Sequence, residues 1–99
     1  MAQHRYIQLK TSMNTYFADN VKENLLHLRE KASGYVQGPS QYMNLNWYEI
    51  CRGLESRGLI GTFNLGVLKE IIEDMPIGES ALRDLIDSAE IDISNMAGQ

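Results

Sequence analysis

Apolar residues recur at intervals of three and four along most of this chain, and nowhere do they alternate long enough to line one face of a strand. That period is the helical one, because side chains three and four apart share a face of an α-helix whereas a strand face repeats at every second residue. The expectation is an all-helical protein of five or six helices. The pattern is sharpest in NWYEICRGLESRGLIGTFNLGVLKEIIEDMP, from Asn46 to Pro76. Asn46 followed by Glu49 forms an N-terminal box, with the Asn side chain accepting a backbone N–H and the Glu returning to the cap. A helix therefore starts at Trp47 and runs through Tyr48, Ile50, Cys51 and Leu54 to Arg57. Gly58 supplies the left-handed residue that ends it, and Leu59 and Ile60 pack the exit. Asn64 is placed to cap the next helix, whose Leu65, Leu68, Ile71, Ile72 and Met75 share one side before Pro76 stops it.

The remaining elements follow from the same signals. A first segment over His4 to Phe17 places Tyr6, Leu9 or Lys10, Met13 and Phe17 along one side. Asp19 is a candidate cap for a second helix, in which Val21, Leu25 and Leu28 form a stripe with Leu26 beside it. Arg29 and Lys31 suit its last turn, and Ser33 and Gly34 close it. Gly34, Gly38 and Pro39 oppose helix, so any helix here is short and lies within Ser40 to Met43. After the turn PIGE, Ser80 is a candidate cap for a last helix with Leu82, Leu85, Ile86 and Ala89 inward. The end, SNMAGQ, has nothing to anchor it. With 99 residues, 43% hydrophobic and 22% charged, the chain has room for one core and the composition of a globular domain. The expected organisation is one domain over 1–92 and a flexible tail over 93–99.

Charge and motifs narrow the chemistry. The net charge is -4, and the nine basic residues are spread from Arg5 to Arg83 without a cluster, so no phosphate-binding face is expected and nucleic acid is an unfavoured partner. No apolar run reaches the ~18 residues that cross a bilayer, and MAQHRYIQLK lacks the apolar stretch of a secretory signal. A cytoplasmic protein without a membrane partner is expected. His4 and His27 stand far apart, and no HExxH, CxxC or clustered carboxylate pattern is present, so no metal is expected. The glycines from Gly34 to Gly66 match neither GxGxxG nor the phosphate-loop pattern, so no cofactor is expected. Cys51, the lone cysteine, sits beside Ile50 on an apolar helix face and reads as a core residue. Paired with His27 as a thiol and its base it would still need a third, orienting group. No catalytic residue is assigned. The acids Glu70, Glu73, Asp74 and Glu79 read either as a solvated helix face or as a docking face for a basic patch.

The segment NWYEICRGLESRGLIGTFNLGVLKEIIEDM resembles the fourth and fifth helices of a death effector domain, in which an aromatic-led helix ends in a pattern like L-x-x-x-G-L-[IL] and a capped, Leu- and Ile-rich helix follows. The stretch ADNVKENLLHLREKA is similar to the family's second helix, which extends the resemblance over Arg5 to Glu90. It implies an all-α, six-helix Greek-key antiparallel bundle of the death fold. It also implies a non-catalytic domain that binds like domains, as in adaptors of apoptosis and innate immune signalling. The caspase-recruitment and pyrin subfamilies match the Trp47 to Met75 hairpin less well.

Residue by residue, the resemblance assigns a protein-interaction surface. Family members keep an acid in the second helix paired with an R-x-D-L motif near the sixth. Here that region reads SALRDLIDSA, with Arg83 and Asp84 adjacent, and the second helix has Asn20 where the acid is expected, with Asp19 and Glu23 as nearby substitutes. The apolar patch that binds a partner maps onto Leu26 with His27 and Glu30, and onto Leu68 with Ile72. Whether these leucines are surface or core stays open in the sequence. Apart from the resemblance, Glu70 and Glu73 of the acidic run are the candidate contact residues if that run is a docking face. The expected partner is a death-fold domain of another signalling protein or a second copy of the chain, which leaves a homo-oligomer open. Met1 lies close to the first helix while the tail fades, so the expected position is N-terminal in a longer protein. Two other functions are consistent with a helical hairpin. One is a small helix-turn-helix DNA-binding regulator, for which LGVLKEIIEDM would be a recognition helix with Lys69 its only base. The other is a structural helical scaffold.

Overall fold

The best-defined element is built by local signals alone. In a computed structural model that describes residues 1–35 and 43–97, the helix Trp47–Ser56 is opened by a reciprocal box: Asn46 Oδ1 accepts from the Glu49 N–H at 2.9 Å, and Glu49 Oε1 accepts from the Asn46 N–H at 3.1 Å. It closes with Gly58 at φ +71°, which brings the Gly58 N–H to the Glu55 carbonyl and the Leu59 N–H to the Leu54 carbonyl, both at 3.0 Å. That pair of bonds is the Schellman closure, and it needs a residue tolerant of the left-handed region.

The elements in chain order are α1 (Ala2–Asn14), α2 (Lys22–Ser33), α3 (Trp47–Ser56), α4 (Gly66–Ile71) and α5 (Glu79–Ala97). Among the described residues all regular structure is helical, apart from an isolated bridge between Gly61 and Asn64. α1 packs most extensively on α5, α2 lies against α3 and α4, and α3 and α4 also touch α1 and α5 respectively. The radius of gyration is 13.0 Å, the value expected of a chain folded round one core at this length. The expected short helix within Ser40 to Met43 lies almost wholly outside the described residues.

The stripes meet in one core: Leu9 and Met13 of α1, Leu28 of α2, Ile50 and Leu54 of α3, Leu68 and Ile71 of α4, and Leu82 and Ile86 of α5, all essentially without solvent contact. Phe17 stacks on Trp47 with ring centroids 4.8 Å apart, and the Trp47 indole N–H donates to the Lys10 carbonyl at 2.8 Å, so the tryptophan is buried without an orphaned donor. A polar clamp joins α1 to α3. The Tyr6 hydroxyl donates to the Glu55 carboxylate, which also accepts from Lys10 Nζ at 2.8 Å. Lys10 Nζ lies 4.6 Å from the Tyr6 ring centroid.

Several local expectations give way to tertiary structure. Asp19 does not cap α2; Val21 is the N-cap and makes no side-chain cap bond. The other end of α2 does close at Ser33 and Gly34 as expected, with Gly34 in a right-handed conformation. Asn64 does not cap α4 either. The N-cap is Leu65, and the Asn64 amide instead donates to the Leu59 carbonyl at 3.2 Å, tying down the turn between α3 and α4. α4 stops at Ile71, ahead of Pro76, and Asp74 turns the chain at φ +60° while its N–H donates to Glu79 Oε2 at 3.2 Å. Ser80 lies inside α5. Residues 93–97, expected to form part of a loose tail, continue α5, and Ile93 is only 3% exposed.

Gly78 meets the tightest backbone demand. It has φ +76°, and a Cβ there would stand 2.6 Å from Tyr16 Cε1. Just before it, Ile77 is held by Asn24, the one fully buried polar side chain among the described residues. The Asn24 amide donates to the Ile77 carbonyl at 2.8 Å and to the Tyr16 carbonyl at 3.0 Å, and its Oδ1 accepts from the Ile77 N–H at 2.9 Å. Asn24 thereby fastens both the α1–α2 and α4–α5 connections to α2.

Candidate interaction site

Helix α2 buries Asn24, Leu25, Leu28 and Ala32, and its 3.6-residue period turns Leu26 away from them. Leu26 is 54% exposed. It borders a shallow hollow of about 260 Å³ shared with Asp19, Lys22, Leu25 and Arg29. Arg29 is held at the rim, because its Nε donates to the Leu45 carbonyl at 3.0 Å. The other flank of Leu26 carries Glu23 and Glu30, both exposed. Leu26 thus stands between a basic edge, Lys22 and Arg29, and an acidic edge, Glu23 and Glu30.

Beyond the acids, α2 faces α4. His27 Nε2 lies 2.8 Å from the Glu73 carbonyl, to which it donates, and the Glu70 carboxylate accepts from the Tyr35 hydroxyl. Burial of the Tyr35 ring, with Glu70 beside its hydroxyl, pushes the phenol up to about 12. Glu70 and Glu73 are both exposed. The structure therefore gathers His27, Glu70 and Glu73 along the α2–α4 seam, next to the Leu26 face.

Two expected parts of the surface do not form. Leu68 and Ile72 have no exposed surface and belong to the core, so α4 offers no apolar patch there and Leu26 stands without them. Arg83 makes its ion pair with Glu79 one turn earlier on α5, at 3.1 Å, and Asp19, Glu23 and Asp84 are not its partners. Since Glu79 also holds the Asp74 N–H, this pair braces the α4–α5 turn. Asp84 is exposed on α5.

Other chemistry finds little footing. Cys51 is buried, and burial pushes its thiol well above the ordinary range, the opposite of an activated nucleophile. Among the described residues no group of three or more His, Cys, Asp or Glu side chains is placed to hold a metal ion, and no helix is long and apolar enough to cross a membrane. Lys69, the one base of a would-be recognition helix, is engaged by Glu90 at 2.6 Å and Asp87 at 3.7 Å on α5, and those carboxylates raise its pKa. α4 has six residues, about 9 Å of helix, which is short for reading a groove.

Lys22 and Arg29 border the hollow beside Leu26 and are side chains that periodicity alone passes over. Their signal is present in the sequence as K-E at the start of α2 and R-E one heptad later, with Leu26 between. Phe63, 73% exposed on the α3–α4 turn over a cavity bordered by Leu65, Ile93 and Ala97, is a second apolar feature that helical spacing does not single out. Comparison with known proteins finds no matching family model, no matching curated sequence and no matching solved structure.

Proposed function

We propose that this chain is a divergent death effector domain: a non-catalytic, six-helix Greek-key antiparallel bundle that binds like domains, or itself, in cytoplasmic apoptotic or innate immune signalling. In this reading α1, α2, α3, α4 and α5 stand for the first, second, fourth, fifth and sixth helices of the family. The family's third helix would correspond to the short helix expected within Ser40 to Met43, almost all of which lies outside the described residues. The packing supports it, since the first and last helices lie together and α2 is flanked by α3 and α4.

The observation that carries the reading is Leu26. It is a half-exposed leucine at the position matching the family's partner-binding patch, on the outward face of a helix whose other apolar residues are inside. Burying its remaining exposed surface against a partner is worth on the order of 1 kcal/mol, and the charges around it set partner choice and register. With Leu68 and Ile72 in the core, the surface narrows to the face of α2 and the adjoining acids Glu70 and Glu73. Arg83 and Asp84 act in this reading as bracing and rim.

The test is titration of the wild-type chain and Leu26→Glu against purified death effector, caspase-recruitment and pyrin domains, with sedimentation of each protein alone. Selective binding to a death-fold domain or self-association, lost in Leu26→Glu with the circular dichroism unchanged, supports the proposal. Binding that is unaffected by Leu26→Glu, or no binding to any of these domains or to itself, refutes it. A parallel titration with random duplex DNA at low salt addresses the helix-turn-helix alternative, for which binding would be required.

A further inference from the structure

We infer that the α2 face is a two-fold symmetric interface for a second copy of this chain, with the two α2 helices parallel, each Leu26 seated in the other's hollow, and Glu23 and Glu30 placed over the partner's Lys22 and Arg29. The inference rests on the homotypic reading above and specifies both the partner and its orientation.

The argument is one of charge complementarity along a single helix. Successive residues of α2 turn by about 100° and rise about 1.5 Å. Lys22 and Arg29 therefore lie roughly 40–60° to one side of Leu26, and Glu23 and Glu30 roughly 40–60° to the other. Along the axis, Lys22 and Glu23 sit roughly 4.5–6 Å before Leu26, and Arg29 and Glu30 the same distance after it. Leu26 is the centre of a pattern with a basic edge and an acidic edge, each of whose residues has an opposite charge at nearly the same height across the leucine. The hollow that Leu26 borders opens on the basic edge, between Lys22, Leu25 and Arg29, with Asp19 of the preceding loop at its end.

A self-complementary contact between identical copies requires a two-fold axis, so that residue i meets j and j meets i. Running that axis parallel to α2 exchanges left for right and preserves height. The acidic edge of one copy then faces the basic edge of the other, Glu23 against the partner's Lys22 and Glu30 against the partner's Arg29, and Leu26 passes over the partner's hollow. Running the axis across the helix reverses height and keeps each edge on its own side, which sets Lys22 against the partner's Arg29 and Glu23 against the partner's Glu30. Like charges brought face to face select against that arrangement. Both operations bring the two Leu26 side chains together, but only the parallel one also matches the charged rim, and the rim therefore selects it.

The experiment is sedimentation velocity over a concentration series with two charge-reversed variants, Lys22→Glu/Arg29→Glu and Glu23→Lys/Glu30→Lys, each checked for folding by circular dichroism. Self-association of the wild-type chain is expected. Each variant alone should associate more weakly on the order of tenfold or more, since like charges then face each other across the rim. An equimolar mixture should regain association at or above the wild-type level, because an all-acidic face then meets an all-basic one. Arg29 also holds the Leu45 carbonyl, so if its variant fails to fold, Lys22→Glu mixed with Glu23→Lys gives the same comparison. Variants that associate like wild type, or a mixture of folded variants that regains nothing, overturn the inference even if the Leu26→Glu result upholds homotypic binding. A wild-type chain that stays monomeric overturns it too, and the homotypic reading is then judged on the titrations against other death-fold domains.

Discussion

Replacing Asn24 should damage this fold more than any other single polar substitution, and the size of the effect follows from its bonds. The side chain is fully buried and makes three hydrogen bonds, two given to the Tyr16 and Ile77 carbonyls and one accepted from the Ile77 N–H. Asn24→Leu keeps a similar volume but removes all three, and a backbone group left dry without a partner costs about 1–3 kcal/mol. Ile77 as a residue is 47% exposed, so water can recover part of what its backbone loses, which puts the total near the lower bound, about 3 kcal/mol. A domain of this size has a stability on the order of 5–15 kcal/mol. Asn24→Asp adds a diagnostic. An ionised carboxylate would face two carbonyls without a proton to offer, so its folded-state pKa must rise above the unfolded value near 3.9. A raised pKa means that the folded state prefers the protonated acid. Asn24→Asp should therefore lie closest to wild type below about pH 4 and fall further behind as pH rises through the folded-state value. Urea melts at several pH values measure both effects. A loss below about 0.5 kcal/mol for Asn24→Leu, the range of an ordinary surface change, would show that the two connections do not depend on Asn24.

Leu68→Ala should cost about 2–5 kcal/mol, because Leu68 has no exposed surface, whereas Leu26→Ala should stay within about 0.5 kcal/mol; equal losses in urea melts would contradict the assignment of one to the core and the other to the surface. Gly78→Ala should destabilise more than Gly58→Ala. Both residues have positive φ, but only at Gly78 does an added Cβ meet a neighbour, Tyr16, while at Gly58 it finds open space. Thermal melts that rank the two variants in reverse would remove that argument. Between about pH 10 and 12 the wild-type chain should lose stability relative to Tyr35→Phe. Burial and Glu70 raise the phenol's pKa in the folded state, so the stability it contributes is complete below its unfolded pKa of about 10 and is lost as pH rises through the folded value. Parallel pH dependence of the two melts would show that the Tyr35 bond to Glu70 does not form in solution.

What could be read from the sequence divides along the line between local and tertiary causes. The start and end of α3 depend on Asn46, Glu49 and Gly58, all within one turn of the groups they satisfy, and both are where the sequence puts them. The all-helical class and the inward positions of Tyr6, Leu9, Leu54, Leu82 and Ile86 follow from periodicity in the same way. Asn64 and Asp19 look like caps by composition alone, yet the Asn64 amide is drawn to the Leu59 carbonyl by a turn that only the α3–α4 packing defines. The far end of α5 was hidden by polar residues, although Ile93 continues the spacing of Ile86 and Ala89. The role of Asn24 is not legible in the sequence, because a pattern of apolar positions treats every amide as outward-facing and nothing local shows the two distant carbonyls it bonds. At the candidate site, the mixed charge of α2 is visible in KENLLHLRE. The exposure of Leu26, the burial of Leu68 and Ile72, and the pairing of Arg83 with Glu79 are settled by neighbours far along the chain.

The central claim, that the outward face of α2 is the surface this domain uses to bind its own kind, is tested most directly by amide chemical shifts. Spectra of the isotope-labelled chain would be recorded across a concentration series and during titration with an unlabelled death-fold domain that binds it. The account predicts that the shifts move at Lys22, Glu23, Leu26, His27, Arg29 and Glu30 and along the adjoining acids of α4, with the exposed side of α5 unchanged. Shifts confined to the Phe63 turn or to α5, or spectra that do not change under any of these conditions, would contradict it.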